Sequence, residues 1–255
     1  MSLVPISFVG AGPGDPELIT VKGQRLLRDA DVIVYAGSLV NPALLSLASA
    51  ECEIFNSASM TLNEVLDVMI SRAKECKAVV RLHTGDPSIY GAIQEQINAL
   101  DEQKIPWTII PGVSSFLAAA AALGQEYTLP EVSQSVIITR LQGRTPVPEL
   151  EKLSLLASHQ ATMCIFLSVQ MVDEVVRELL AGGYSEDTPV AVVEKASWPD
   201  ERIVRCNLKD LAAKVAEAQI DRTAMIVVGS VLNKQFQLSK LYSPEFGHMF
   251  REATQ

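Results

Sequence analysis

The feature that most constrains the fold of this chain is a regular alternation of strand-length apolar runs with longer segments of helical period. The runs are rich in β-branched residues and cover 6–9, 32–35, 78–82, 107–110, 136–139, 162–167, 190–193 and 225–228. Between the second and third runs, Leu62, Val65, Leu66 and Met69 recur at helical spacing and form one apolar stripe. Such alternation predicts an α/β fold with a largely parallel sheet, since helices connect successive parallel strands.

A change in character after Leu123 predicts a division into two domains. The alanine-rich segment "SSFLAAAAAL" is followed by the polar, proline-bearing stretch "GQEYTLPEVSQ", and a new strand signal begins beyond it. A chain of 255 residues, 48% of them hydrophobic, is long enough to bury two cores of ordinary size. We therefore expect one α/β domain over 1–123 and a second over 124–255.

Charge and hydropathy argue against several classes of partner. The formal net charge is -9, so the chain has no global field that would hold a phosphate backbone, and we expect no nucleic-acid partner. Every apolar run is broken well before the ~20 residues of a membrane span. The first residues also lack the basic and long apolar regions of a secretory signal. We expect a cytoplasmic protein with no membrane partner.

Metal and nucleophile chemistry are not indicated by residue spacing. The cysteines form no C-x-x-C pair and the histidines are isolated; they are Cys52, Cys76, Cys164, Cys206, His83, His159 and His248. The chain also contains no G-x-S-x-G or G-x-x-x-x-G-K motif. We therefore expect neither a metal site nor a disulfide framework, and interpret the cysteines as small buried hydrophobes.

Three glycines follow the first apolar run in "ISFVGAGPGDPELIT", where a dinucleotide fingerprint would lead through G-x-G-x-x-G into a helix. Here Asp15 and Pro16 replace the last glycine, and the second run ends in "VYAGS" without the acidic residue that would bind a ribose. A dinucleotide-dependent oxidoreductase is therefore a minority alternative. Asp15 is better suited to cap a helical turn, and Thr20 to cap the helix that follows.

Two further glycine loops follow later runs, "LHTGDPSIYGA" after 78–82 and "IIPGVSS" after 107–110. Either loop alone could be an ordinary turn, with Ser88 capping the helix after the first of them. Ligands of open α/β sheets bind beyond the carboxyl ends of such strands. Three glycine-bearing loops at strand ends favour a ligand site, because glycine lets a ligand approach the backbone closely.

Seven segments, in this order, resemble the tetrapyrrole methylases that use S-adenosylmethionine. They are "GAGPGDPELIT", "YAGSLV", "HTGDPSIYGA", "PGVSSF", "ITRLQGRTPVPE", "EKASWPDE" and "TAMIVVG", and they extend over nearly the whole chain. The first and third are shared across the family. "YAGSLV" and "TRLQGRTPVPE" are similar to the branch of corrin biosynthesis that methylates carbon 11 of precorrin-4, with or without cobalt.

The resemblance implies a homodimeric C-methyltransferase of two α/β domains, with S-adenosylmethionine as co-substrate in the cleft between them and the tetrapyrrole over the N-terminal loops. Carried over by motif, the cofactor contacts are Pro13, Thr84, Gly85, Asp86, Ile89, Ser114, Ser115, Leu167, Ala196 and Ala224. For Asp86, pairing with the ammonium of the cofactor and bonding the backbone of its own turn are equally open alternatives.

The group that handles protons is not identified by the resemblance. In the related uroporphyrinogen-III methylases an acidic residue follows the tyrosine that ends the second strand, whereas Tyr35 is followed here by Ala36, Gly37 and Ser38. Tyr35, Ser38 and Asp15 are therefore only weak catalytic candidates.

The implied substrate carries many carboxylates while the chain is acidic, so binding requires a local basic patch. Arg140 and Arg144 of "TRLQGRTP" are the predicted substrate contacts, because guanidinium forks match carboxylates; the alternative is a solvated basic loop. Lys195 and Arg202 are weaker candidates, and Trp198 either packs or binds the ligand. Methylation of another ring carbon and a non-catalytic ligand sensor with the same fold remain alternative functions.

Overall fold

The chain forms two compact units, each built on a five-stranded sheet, in a computed structural model that describes residues 3–37, 39–233, 249, 251 and 252. The first unit contains the described residues up to Ala119 together with Lys195–Glu201. The second contains Ala120–Glu194 and the described residues from Arg202 onward. Lys195–Glu201, which follows the sequence break at Leu123, thus groups with the N-terminal unit.

The strands of the first unit are β1 (Ile6–Gly10), β2 (Val32–Tyr35), β3 (Glu53–Asn56), β4 (Val79–His83) and β5 (Trp107–Ile110). The helices in this part of the chain are α1 (Val21–Arg28), α2 (Leu62–Lys74), α3 (Gln94–Glu102) and α4 (Ser115–Leu123). All pairings are parallel, in the order β3-β2-β4-β1-β5. Apolar clusters cover both faces of the sheet, which explains why its inner strands are continuous apolar runs.

Local capping sets the starts of several helices. Thr61 and Glu64 form a reciprocal capping box at the start of α2. Thr20 accepts a hydrogen bond from the amide three residues later and begins α1, and Asp15 accepts one from the amide two residues later at 2.9 Å and begins a 3₁₀ turn. The predicted caps at Asp15 and Thr20 are confirmed.

The helix after the second glycine loop begins later than predicted. Ser88 lies in a turn, and α3 starts only further along the chain. Tyr90 and Ala92 have φ values of 54° and 49°, which a right-handed helix excludes, and a Cβ on Gly91 would lie 2.1 Å from the carbonyl oxygen of Pro87. The predicted cap at Ser88 is wrong, because a tight turn occupies the residues between β4 and α3.

The strands of the second unit are β6 (Val136–Arg140), β7 (Thr162–Phe166), β8 (Pro189–Glu194), β9 (Arg202–Asn207) and β10 (Ala224–Val228). Its helices are α5 (Leu153–Ala157), α6 (Val172–Ala181) and α7 (Leu211–Glu217). In the order β6-β7-β10-β8-β9 only β6 and β7 are parallel. The predicted parallel sheet is thus confirmed for the first unit and wrong for the second, since a fully buried strand has the same apolar pattern in either direction.

The two strands that the apolar runs missed, β3 and β9, lie at sheet edges. Residues of β3 alternate between half-buried and exposed, and β9 carries Arg202 and Arg205. Polar or charged residues interrupt both strands, so neither contains a continuous apolar run, whereas the other two edge strands, β5 and β6, were found as apolar runs. Further 3₁₀ segments occupy Pro16–Leu18, Pro42–Leu47, Ser57–Ser59, Glu149–Glu151, Val169–Met171, Leu208–Asp210 and Ser230–Leu232. Among the described residues, no helix is both long and apolar enough to cross a membrane.

Candidate active site

The three glycine loops meet at one edge of the first sheet, because β4, β1 and β5 are neighbours whose carboxyl ends point the same way. Gly12 and Gly85 pair as an antiparallel bridge, with the amide of Gly85 donating to the carbonyl of Gly12 at 2.9 Å. A Cβ on Gly10 or Gly112 would lie 2.6 Å or 2.1 Å from the carbonyl oxygen of Gly85. We call these four residues the glycine junction; glycine is required at positions 10 and 112 because the backbones touch.

Gly85 differs from those two tightly packed glycines because it has room for a Cβ. Its φ is 59°, and a Cβ there would lie 3.5 Å from the Cα of Ser114 and 3.8 Å from the amide nitrogen of Ser115. A side chain at position 85 would therefore extend toward the third loop, where two of the predicted cofactor contacts lie.

Asp86 fastens the second loop to the third. One carboxylate oxygen accepts a hydrogen bond from the amide of Ser88 at 2.8 Å, and the other accepts one from the amide of Gly112 at 2.9 Å. The backbone-bonding role considered for Asp86 is thus present. Ile89, half-buried in the same turn, donates its amide to the carbonyl of Asp86 at 3.2 Å.

Two buried polar atoms next to the glycine junction have no hydrogen-bond partner within the described residues. They are the hydroxyl oxygen of Thr84, a predicted cofactor contact, and Nε2 of His83. Leaving a buried polar atom unpaired costs about 1–3 kcal/mol, so such an atom in a native structure calls for a ligand or an ordered water.

A buried basic residue beneath the loops was not anticipated from the sequence. Arg81 donates to the side-chain oxygen of Gln96 at 3.2 Å and to the carbonyl of Val34 at 3.1 Å, and burial lowers its pKa to about 10. Burial is the larger cause that lowers the pKa of His83 to about 3, and the positive charge of Arg81 is the smaller one. The imidazole of His83 stacks on the ring of Phe8, with ring centroids 6.0 Å apart. The sequence did contain a signal for this buried residue, because Arg81 lies inside the apolar run 78–82.

The segment Lys195–Glu201 brings Ala196 to the first glycine loop. The indole Nε1 of Trp198 donates to the carbonyl of Pro13, and the amide of Asp15 donates to the hydroxyl of Ser197, each at 3.0 Å. Ala196 is buried beside these contacts along the chain. Trp198 therefore has the packing role considered for it, and two predicted cofactor contacts, Pro13 and Ala196, lie on elements bonded to each other.

None of the weak catalytic candidates gains support from the structure. Asp15 is engaged as a cap through its carboxylate. Tyr35 is half-buried and packs against an apolar cluster that includes Leu27 and Ile33. Ser38 lies outside the described residues.

The predicted contacts in the second unit gather at one end of its sheet. Arg140 pairs with Phe166 across parallel strands, and Ala224 pairs with Glu194 across antiparallel ones. The register of β7 and β10 places Ala224 beside the end of β7, which Leu167 follows. Leu167 is 65% exposed with φ of 53°, an uncommon conformation that tends to occur at ligand sites.

The two predicted substrate arginines lie in different environments. The guanidinium of Arg140 donates to the backbone carbonyls of Leu141, Thr145 and Pro146 at 2.8–3.3 Å, so it shapes its own loop. Arg144 is exposed within that loop.

Both weaker basic candidates form ion pairs. Arg202 bonds Glu194 at 2.6 Å, and Lys195 pairs with Asp200. Within the described part of the chain, no cluster of acidic, histidine and cysteine side chains could hold a metal ion.

Comparison with known proteins identifies a family and several similar members. Residues 5–212 match the family model of the tetrapyrrole (corrin/porphyrin) methylases. The chain is 60% identical to the cobalt-precorrin-4 C(11)-methyltransferase of Methanocaldococcus jannaschii over 249 residues, 97% of this chain and 96% of that protein. It is 49% identical to the precorrin-4 C(11)-methyltransferase of Pseudomonas aeruginosa over 247 residues, 96% and 98% of the two chains.

Solved structures of methyltransferases are also similar to this chain. A cobalt precorrin-4 methyltransferase of cobalamin biosynthesis superposes with a TM-score of 0.88 at 49% identity, covering 90% of this chain and 96% of that one. A uroporphyrin-III C-methyltransferase of Thermus thermophilus, complexed with S-adenosylhomocysteine, gives a TM-score of 0.73 at 28% identity, covering 90% and 94%.

Proposed function

Because this chain belongs to the tetrapyrrole (corrin/porphyrin) methylases, we propose that it transfers a methyl group from S-adenosylmethionine to carbon 11 of precorrin-4 or cobalt-precorrin-4 in cobalamin biosynthesis. The carbon and the substrate are those named for its relatives. The structural observation that carries the proposal is the glycine junction beside the buried hydroxyl of Thr84, which has no hydrogen-bond partner in the part of the chain that the structure describes. A cofactor that binds there would satisfy this hydroxyl and use the close approach that glycine permits.

The residues proposed to hold S-adenosylmethionine lie on loops or at the first residue of a helix or strand. In the first unit they are Pro13, Thr84, Gly85, Asp86, Ile89, Ser114, Ser115 and Ala196; in the second they are Leu167 and Ala224. When bound, the cofactor supplies an electrophilic methyl group. The protein need not supply a nucleophile, because holding two reactants in line can lower a barrier by up to roughly 7–11 kcal/mol.

The arginines of the loop after β6 have separate proposed roles. Arg144, exposed in this loop, binds a carboxylate of the tetrapyrrole. Arg140 holds the loop in shape through its three carbonyl contacts. With the roles divided in this way, the positive charge of Arg144 is available to a substrate carboxylate, although the net charge of the protein is -9.

The active protein is a homodimer in the cytoplasm, with no nucleic-acid or membrane partner. Its family resemblance supports the dimer, and its acidic net charge argues against nucleic acid. Sedimentation of the purified protein measures whether it is a dimer.

The test of the function is turnover. The protein is incubated with S-adenosylmethionine and either precorrin-4 or cobalt-precorrin-4, and the product is analysed by mass spectrometry and NMR. We expect the gain of one methyl group on carbon 11 with release of S-adenosylhomocysteine. A methyl group on another carbon would correct the site of reaction, and binding of S-adenosylhomocysteine without turnover would favour the ligand sensor. Binding of NAD instead would favour the oxidoreductase.

A further inference from the structure

The first glycine loop is held by three side chains of the same unit. Besides the bonds from Trp198 to Pro13 and from Asp15 to Ser197, the side-chain amide of Asn41 donates to the carbonyl of Gly14 at 2.8 Å. Three consecutive residues of the loop are thus each bonded to a side chain from elsewhere in the sequence.

The indole of Trp198 also occupies the space that a side chain at position 14 would need. A Cβ on Gly14 would lie 2.1 Å from Cδ1 and 2.2 Å from Nε1 of Trp198. Because the indole is rigid and bonded to Pro13, it cannot move aside without breaking that hydrogen bond. Glycine at position 14 and tryptophan at position 198 are therefore a matched pair.

The segment that carries Trp198 is itself strained and tightly bonded. Lys195 and Ser197, on either side of Ala196, have φ values of 49° and 70°. The amide of Ser197 donates to the carboxylate of Glu201 at 2.7 Å, and the amide of Trp198 donates to the carbonyl of Lys195 at 2.9 Å. Backbone strain of this kind persists only where the surroundings hold it, and it concentrates at ligand sites.

We infer that Trp198 is a positioning residue for S-adenosylmethionine, which fixes the Pro13 loop and the Ala196 segment in one arrangement so that both meet the cofactor. The inference rests on the proposed function. Trp198 acts through its packing against Gly14 and its hydrogen bond to Pro13, with no contact to the reacting atoms required.

A double-mutant cycle at positions 14 and 198 tests the inference. The affinity for S-adenosylhomocysteine is measured by calorimetry, and the KM for S-adenosylmethionine is measured by turnover. Trp198→Phe, which loses only the indole N–H, should weaken binding by about twofold to tenfold, the range for one hydrogen bond. Gly14→Ala should weaken it by about tenfold or more through overpacking. The double variant Gly14→Ala/Trp198→Ala should bind more tightly than Gly14→Ala alone, because the clash is removed.

The matched control is Trp107→Phe, since Trp107 is the other tryptophan and its indole N–H donates to the exposed Asp101 at 2.8 Å. It should leave affinity unchanged, and it makes Trp198 the single tryptophan, whose emission should shift when S-adenosylhomocysteine binds. Trp198→Phe should show no such shift.

If the affinity loss of the double variant equals the product of the losses of Gly14→Ala and Trp198→Ala, and Trp198→Phe binds as the wild type does, Trp198 does not position the cofactor. If the wild type itself fails to bind S-adenosylhomocysteine, the proposed function fails instead.

Discussion

At the scale of single residues, substitution of Gly85 is expected to affect ligand binding most directly. Its φ of 59° disfavours any side chain, and a Cβ would extend toward Ser114 and Ser115. We expect Gly85→Ala to cost about 1–2 kcal/mol of stability and also to weaken S-adenosylhomocysteine binding. Gly85→Val would be more strained than Gly85→Ala, because a β-branched side chain is less tolerant of positive φ, so alanine is the better test.

The matched control is Gly124→Ala. Gly124 has nearly the same φ, 60°, but nothing lies within 4 Å of a Cβ placed there. It should lose similar stability in urea unfolding while keeping full affinity in calorimetry. Equal affinities for the two variants would show that the cofactor does not approach Gly85.

His83 makes stability depend on pH. Its folded pKa of about 3 lies below the ordinary histidine value of 6.5, so between these values the unfolded chain binds one more proton than the native one. The free energy of unfolding should therefore fall as pH drops below about 6.5, by up to about 1.4 kcal/mol per unit from this residue.

Urea unfolding between pH 7 and pH 5 measures this slope. His83→Met should flatten it, whereas the exposed His159→Gln should leave it as in the wild type. An unchanged slope in His83→Met would assign the pH dependence to other groups.

At the scale of elements, Asp86 joins two loops that the chain separates by α3 and β5. Each oxygen accepts a backbone amide, so Asp86→Asn presents an NH₂ group where one oxygen accepted. We expect a loss of about 1–3 kcal/mol in stability, and weaker cofactor binding because the second and third loops separate.

Glu at this position distinguishes the two roles considered for the carboxylate. Asp86→Glu keeps the charge but misplaces both oxygens. If the charge pairs with the cofactor ammonium, Asp86→Glu should bind better than Asp86→Asn; if the loops matter, both should bind poorly. Calorimetry with S-adenosylhomocysteine separates these results.

At the scale of the whole molecule, net charge sets the conditions for binding a polyanion. The field of a chain with charge -9 opposes a tetrapyrrole with many carboxylates, so local arginines must overcome it. Arg144→Ala should weaken tetrapyrrole binding by about 1.5 kcal/mol, and lysine should restore only part of the loss. The wild-type advantage should shrink as salt rises, since the screening length falls from about 10 Å at 0.1 M to about 3 Å at 1 M.

Arg177→Ala changes the net charge equally at an exposed position of α6 and serves as the control. Arg140→Ala should also weaken binding, but together with loss of order in the loop that it bonds. If Arg144→Ala and Arg177→Ala bind tetrapyrrole equally well at low salt, the carboxylate contact lies elsewhere.

The sequence by itself determined the class of fold, the eight buried or half-buried strands, the caps at Asp15 and Thr20, and the family. These features are local: a strand buried on both faces must be apolar along its length, a cap acts within a few residues, and a family motif is a contiguous string. The sequence also placed the three glycine loops at strand ends.

Only the tertiary structure decided the rest, because it depends on contacts between distant segments. Strand direction in the second sheet and the edge positions of β3 and β9 follow from strand pairing that no short window contains. The turn that displaces the start of α3 is local, but the positive φ values of Tyr90 and Ala92 are not indicated by their residue types. Like the strand pairing, the contact of Trp198 with Gly14 joins distant residues, which lie 184 positions apart in the sequence. A glycine shows from sequence only that a side chain is missing; what fills its place is a property of the folded chain.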